Sequence, residues 1–156
     1  MSKVKRRSIF FLIYCLSNFS FFVPVFSGVD PEASLKEALD KANRGDNEEA
    51  IKELEQVKRS MPGDARVALS LGLLYQSTDR HDQAIQELEQ ANNLSPSFQA
   101  SYALGLLYES KWVKTDDSSW KNKAVQAWEN CLKLSPADGP HRDTVNRHLQ
   151  RLRNSE

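Results

Sequence analysis

Leu71-Gly72-Leu73-Leu74-Tyr75 returns as Leu104-Gly105-Leu106-Leu107-Tyr108, 33 residues further along the chain. A fixed period of this size means that one supersecondary unit has been copied. Each copy opens a longer echo. After Tyr75 come Ala84, Leu88, Ala91 and Pro96, at offsets of 9, 13, 16 and 21. After Tyr108 come Ala124, Trp128, Cys131 and Pro136, at 16, 20, 23 and 28. The internal spacing is the same, shifted by seven. The third unit therefore carries a seven-residue insertion between Tyr108 and Ala124. A fainter copy lies upstream in Ala50, Leu54, Val57 and Pro62, with Ala50 34 residues before Ala84.

This spacing predicts a helix, a turn, a second helix and a proline stop. The alanine lets the second helix approach the first. The large residue four positions later and the small one three after that share one helical face. Proline cannot continue the helix. A helical glycine costs about 1 kcal/mol relative to alanine and so needs a packing reason, here a close helix crossing.

The pattern resembles the tetratricopeptide repeat family. Leu71, Gly72, Tyr75, Ala84, Leu88, Ala91 and Pro96 follow its signature, with Ala68 where the family prefers tryptophan. The third unit follows it with Leu104, Gly105, Tyr108, Ala124, Trp128 and Pro136, and Cys131 replaces the usual alanine. The first unit matches only in its second half, with Ala38 at the glycine position and Lys41 at the tyrosine position. That departure suits a terminal repeat with no neighbour on its outer side. The resemblance implies an all-α, right-handed solenoid of three helical hairpins, about 31–63, 64–97 and 98–138, then a capping helix in 139–156.

Expected helices run from about Pro31 to Asn43, Asn47 to Met61, Ala65 to Ser77, Asp82 to Asn93, Phe98 to Lys111 or slightly beyond, and Ser118 or Ser119 to Leu134. Asp30-Pro31-Glu32 is a helix start, with a cap, a first-turn proline and a first-turn acid. The insertion, about 111–120, holds Trp112 and Trp120. Two readings stand: an elongated hairpin whose aromatics fold back, or an exposed aromatic loop that contacts a partner. In the tail, His141, Val145, His148/Leu149 and Leu152 form one stripe. Arg142, Arg147, Arg151 and Arg153 are expected outside, either solvating the cap or forming a patch for an anionic surface.

The chain opens with Lys3, Lys5, Arg6 and Arg7, then runs apolar from Ile9 to Phe26. A basic start before an apolar run is the pattern of an export signal, with cleavage expected after Ser27. Retention of residues 9–26 as a membrane anchor is the alternative, although Ser17, Asn18, Ser20 and Pro24 interrupt the run. The expected location is thus periplasmic or secreted. The leader holds four of the 21 Lys and Arg and none of the 21 Asp and Glu, which leaves 17 minus 21, or −4, on the remainder. An acidic balance argues against a nucleic-acid partner. Cys131 is the one cysteine after the leader, so no disulfide forms within that part, and a small buried residue is expected.

No catalytic constellation stands out. His81, His141 and His148 are scattered, and the metal, phosphate-loop and nucleophile motifs are missing. No cofactor or metal is expected. Acid pairs such as Glu48-Glu49 sit where helix starts favour negative charge.

In the family, the first helix of each hairpin lines the concave face. The resemblance places Glu32, Leu35, Leu39 and Ala42 there in the first repeat. It places Arg66, Leu69, Leu73 and Gln76 there in the second, and Gln99, Tyr102, Leu106 and Glu109 in the third. Leucine and tyrosine stand where one branch of the family grips carboxylates with lysine, asparagine and arginine, so that clamp is missing. An apolar strip rimmed by polar groups suits a peptide or amphipathic helix from a protein partner. Sealing of neighbouring helices, or a homo-oligomer, is the alternative.

Overall fold

The computed structural model describes residues 30–136 and 139–155. The leader and its expected cleavage site lie outside the described residues. Among the described residues, seven helices follow one another: α1 (Pro31–Arg44), α2 (Asn47–Ser60), α3 (Ala65–Ser77), α4 (His81–Leu94), α5 (Phe98–Thr115), α6 (Ser118–Leu134) and α7 (Arg142–Asn154). No strand occurs among the described residues. Consecutive helices pair as hairpins, and each hairpin packs on the next. The all-α solenoid of three hairpins and a final helix is the observed architecture.

Local chemistry sets the helix starts. Asp30 accepts from the Glu32 N–H at 3.0 Å, ahead of Pro31. Asp64, Ser97 and Asp117 accept from the N–H groups of Arg66, Ala100 and Ser119. Those bonds occupy donors that a helix start leaves free.

The three hairpin turns share one device. Gly45, Asp79 and Asp116 each take a left-handed backbone, with φ of 89°, 59° and 55°. Glycine accepts that conformation without strain, and aspartate tolerates it better than most residues. With the turns aligned, the insertion resolves into two parts. Tyr108 to Asp116 is eight positions, against four from Tyr75 to Asp79. Asp116 to Ala124 is eight positions, against five from Asp79 to Ala84. Four residues lengthen α5 and three lengthen α6, close to one turn on each side. Helix α5 accordingly runs to Thr115, a turn past the earlier of its expected ends.

The repeated residues form the core. A Cβ on Gly72 would stand 2.5 Å from Leu88 Cγ, and one on Gly105 would stand 2.6 Å from the Trp128 ring. These are the helix crossings that the glycines were expected to mark. Ala38, fully buried, occupies the corresponding place in the first hairpin. Tyr75 and Tyr108 bridge repeats. Each hydroxyl donates at 2.6 Å to a glutamate on the previous hairpin, Glu55 and Glu89 respectively. Cys131 is buried, and burial pushes its thiol up to about 12.

Helix α7 runs parallel to α5 and antiparallel to α6. His141 stacks on Phe98 at the start of α5, whereas Arg151 reaches Glu109 further along it. Ser155 meets Lys121 near the start of α6, and Arg142 donates to the Leu132 carbonyl near its end. The helix thus occupies the place of a fourth repeat's first helix. Val145, Leu149 and Leu152 are buried beneath it. Asp143, Asn146, Arg147, Gln150 and Asn154 are exposed, so the last helix ends the array with a polar surface.

Candidate functional groove

Helices α1, α3 and α5 form the inner row, and α1 touches α3 directly. Leu39, Ala42, Ser70, Leu73 and Ser77 line a recess of about 350 Å³ between them. Leu73 is 40% exposed, a large value for a leucine in the middle of a helix. Leu39, Leu69, Tyr102 and Leu106 are partly buried and pack on the core from this side. The α3–α5 part of the strip therefore presents Leu69, Leu73, Tyr102 and Leu106.

Two expected groove residues are placed elsewhere. Leu35 is only 3% exposed and belongs to the core beneath α1. Glu109 is 8% exposed and already engaged. The Trp128 indole N–H donates to its Oε1 at 2.6 Å, His148 Nδ1 lies 2.8 Å from the same oxygen, and Arg151 pairs with Oε2. A carboxylate at this depth requires such partners.

The cap arginines stay largely at the surface, as expected, but three of them are engaged through their tips. Arg151 points inward to Glu109, Arg142 caps a carbonyl of α6, and Arg153 lies 3.4 Å from Glu129. Arg147 bonds only to Thr144 of its own helix among the described residues. The two tail histidines stack on aromatic rings, the half-buried His148 on Trp128 at 4.3 Å and the exposed His141 on Phe98 at 5.5 Å. The helical stripe located these residues, but one sequence gives no sign that Glu109, Trp128, His148 and Arg151 meet.

At the groove rim, Arg66 is held by Glu32 at 2.5 Å and Asp64 at 2.6 Å. The guanidinium holds the Asp64 carboxyl below its usual range. Gln76 is half-buried and Gln99 exposed. Trp112 and Trp120 are both partly buried. Trp120 packs 5.8 Å from the Tyr108 ring beneath Lys123, and Lys121 covers Trp112 at 5.5 Å. This is the elongated hairpin with its aromatics folded back. Val113 is the exception, at 76% exposed. It lies two turns beyond Leu106 and so on the same face. No group of acidic, cysteine and histidine residues suited to a metal ion occurs among the described residues. None of the described helices is long and apolar enough to cross a membrane.

The fold and strip define a helical-repeat protein with an inward row of partly accessible apolar residues. Residues 34–107 match the family model described as tetratricopeptide repeat. The match agrees with the fold of stacked helical hairpins. It ends just before the lengthened part of the third hairpin. The chain is similar to the Yersinia enterocolitica type III secretion chaperone SycD in complex with a peptide of the translocator YopD. That likeness has a TM-score of 0.66 and 16% identity, and it covers 78% of this chain and 91% of that one. It is similar to the Sgt2 TPR domain from Aspergillus fumigatus, with a TM-score of 0.60 and 19% identity over 79% of this chain and 76% of that one. A thermophilic TPR protein from Thermus thermophilus gives 0.55 and 24%, covering 77% and 60%. No curated protein matches the chain.

Proposed function

We propose that this protein is a non-enzymatic interaction scaffold that binds a peptide or helix of a protein partner along the α1–α3–α5 face. The observation that carries the reading is the recess around Leu39 and Leu73, apolar at its floor and edged by serines. A large apolar side chain entering it removes apolar area from water on both partners. The peptide held by the similar chaperone supports this kind of ligand. The basic-then-apolar leader supports export, with the scaffold working at the cell envelope or in a secretory compartment.

Leu73→Glu and Leu106→Glu test the groove. Both changes put a charge among apolar side chains, and Leu73 is exposed enough for the fold to survive. Partner recovery in an affinity capture is expected to fall with each variant. Undiminished recovery by folded variants removes the groove from the mechanism. N-terminal sequencing of the native protein tests export separately. A start at Gly28 supports removal of the leader, and an intact leader supports the anchor.

A further inference from the structure

We propose that the groove selects acidic-apolar segments, with apolar side chains over Leu73 and Leu106 and carboxylates on the arginine face of α7. The proposal rests on the peptide-binding reading above and names the chemistry of the partner. Helix α7 is parallel to α5, so it continues the inner row as a fourth wall. Its His148 and Arg151 turn towards α5. Thr144 and Arg151 follow at helical spacing on that side, Arg147 stands at its outward edge, and with His148 they line a recess of about 320 Å³.

The charge is one-sided. Helix α7 holds four arginines and a single acid, Asp143, although the chain after its leader is acidic overall. Arg151 is partly satisfied by Glu109, but its side chain remains 62% exposed. Arg147 is exposed, with only the local bond to Thr144 at 3.0 Å among the described residues. At the opposite end of the row, Arg66 is already neutralised by Glu32 and Asp64. The guanidinium groups left available therefore lie beyond α5, while Lys36 of α1 and Lys114 of α5 are further exposed cations without an ion pair among the described residues. A ligand with apolar residues followed by aspartate or glutamate satisfies both stretches at once. Charge of this kind contributes specificity and capture rate more than raw affinity.

The test uses the whole chain and three fluorescent synthetic peptides. They share one apolar pattern, and their following residues are glutamate, glutamine or lysine. The acidic peptide is expected to bind about five-fold tighter than the neutral one, the scale of one or two exposed ion pairs. The lysine peptide is expected to bind weakest. Arg147→Gln is expected to abolish the preference for the acidic peptide over the neutral one, and Arg147→Lys to retain most of it. High ionic strength is expected to narrow the gap. Equal binding of the acidic and neutral peptides, both lost in Leu73→Glu, overturns the charge selection and leaves the groove standing. Absence of Leu73-dependent binding by any peptide overturns both readings. Arg147-dependent binding to phosphatidylglycerol vesicles, without a peptide ranking, assigns the arginine face to a lipid surface and also overturns the proposal.

Discussion

The second and third hairpins start from the same pentapeptide and differ in what fills the crossing behind it. In the second, Gly72 faces Leu88, a flexible side chain, and the neighbouring inner position is Gln76. In the third, Gly105 faces Trp128, a rigid plane fixed by Tyr102, His148 and Glu109. One crossing is a hydrophobic contact that can relax. The other is a polar-aromatic lock that also fastens the last helix. Identical local sequence has therefore been given unequal work by the residues around it.

The largest break in this comparison is expected from the large side chains themselves. Trp128→Ala is expected to cost about 4–5 kcal/mol, and Leu88→Ala about 3 kcal/mol, in urea or thermal unfolding. The tryptophan loss also strips Glu109 of a donor and His148 of its stacking partner. Equal costs would show that the lock adds nothing to simple burial.

Glu109→Ala is expected to cost about 2–3 kcal/mol, because it leaves the indole N–H and the inward arginine without their acceptor. Gln76→Ala, at the matching place, is expected to stay within about 0.5 kcal/mol. Amide exchange in α7 reads the same difference locally: protection is expected to fall in the glutamate variant alone.

Gly105→Ala is expected to destabilise by about 2 kcal/mol, since the overpacking penalty exceeds the gain in helix propensity. Gly72→Ala is expected to cost about half as much, because Leu88 can change rotamer. A reversed order would mean that the tryptophan has room to tilt.

The smallest effects are expected where the two hairpins agree. Tyr75→Phe and Tyr108→Phe are each expected to cost about 1 kcal/mol, the worth of one hydroxyl bond. Burial first, and then the neighbouring glutamate, hold both hydroxyls above the ordinary value of 10.0. Their contribution is thus complete below pH 10 and is lost as pH rises beyond it, because the unfolded chain releases those protons sooner. The double phenylalanine variant is expected to flatten the alkaline limb of the stability curve.

The period, the glycine crossings and the proline stops were legible because a repeat fixes which face each residue occupies. A helix start was legible where a capping side chain marks it, as at Asp30. The Glu109 cluster was not, because the partners lie 19 to 42 residues from Glu109 and meet it only across three helices. The inward turn of Arg151 follows from a buried carboxylate that helical periodicity places on the open side. Leu35 shows the same limit. It follows the family's groove spacing, yet the first hairpin draws it into the core.

The lengthened third hairpin has a consequence for how a ligand would be read. A repeating surface offers one chain several equivalent alignments, each displaced by one hairpin. Four added residues carry the end of α5 roughly 6 Å past the level at which α3 stops. Exposed Val113 stands on that overhang. The overhang is an end stop on one side of an otherwise periodic track. A segment lying across α3 and α5, as proposed, would meet it in only one alignment, so the insertion would impose a single register and direction on what the pentapeptide copies alone would leave degenerate.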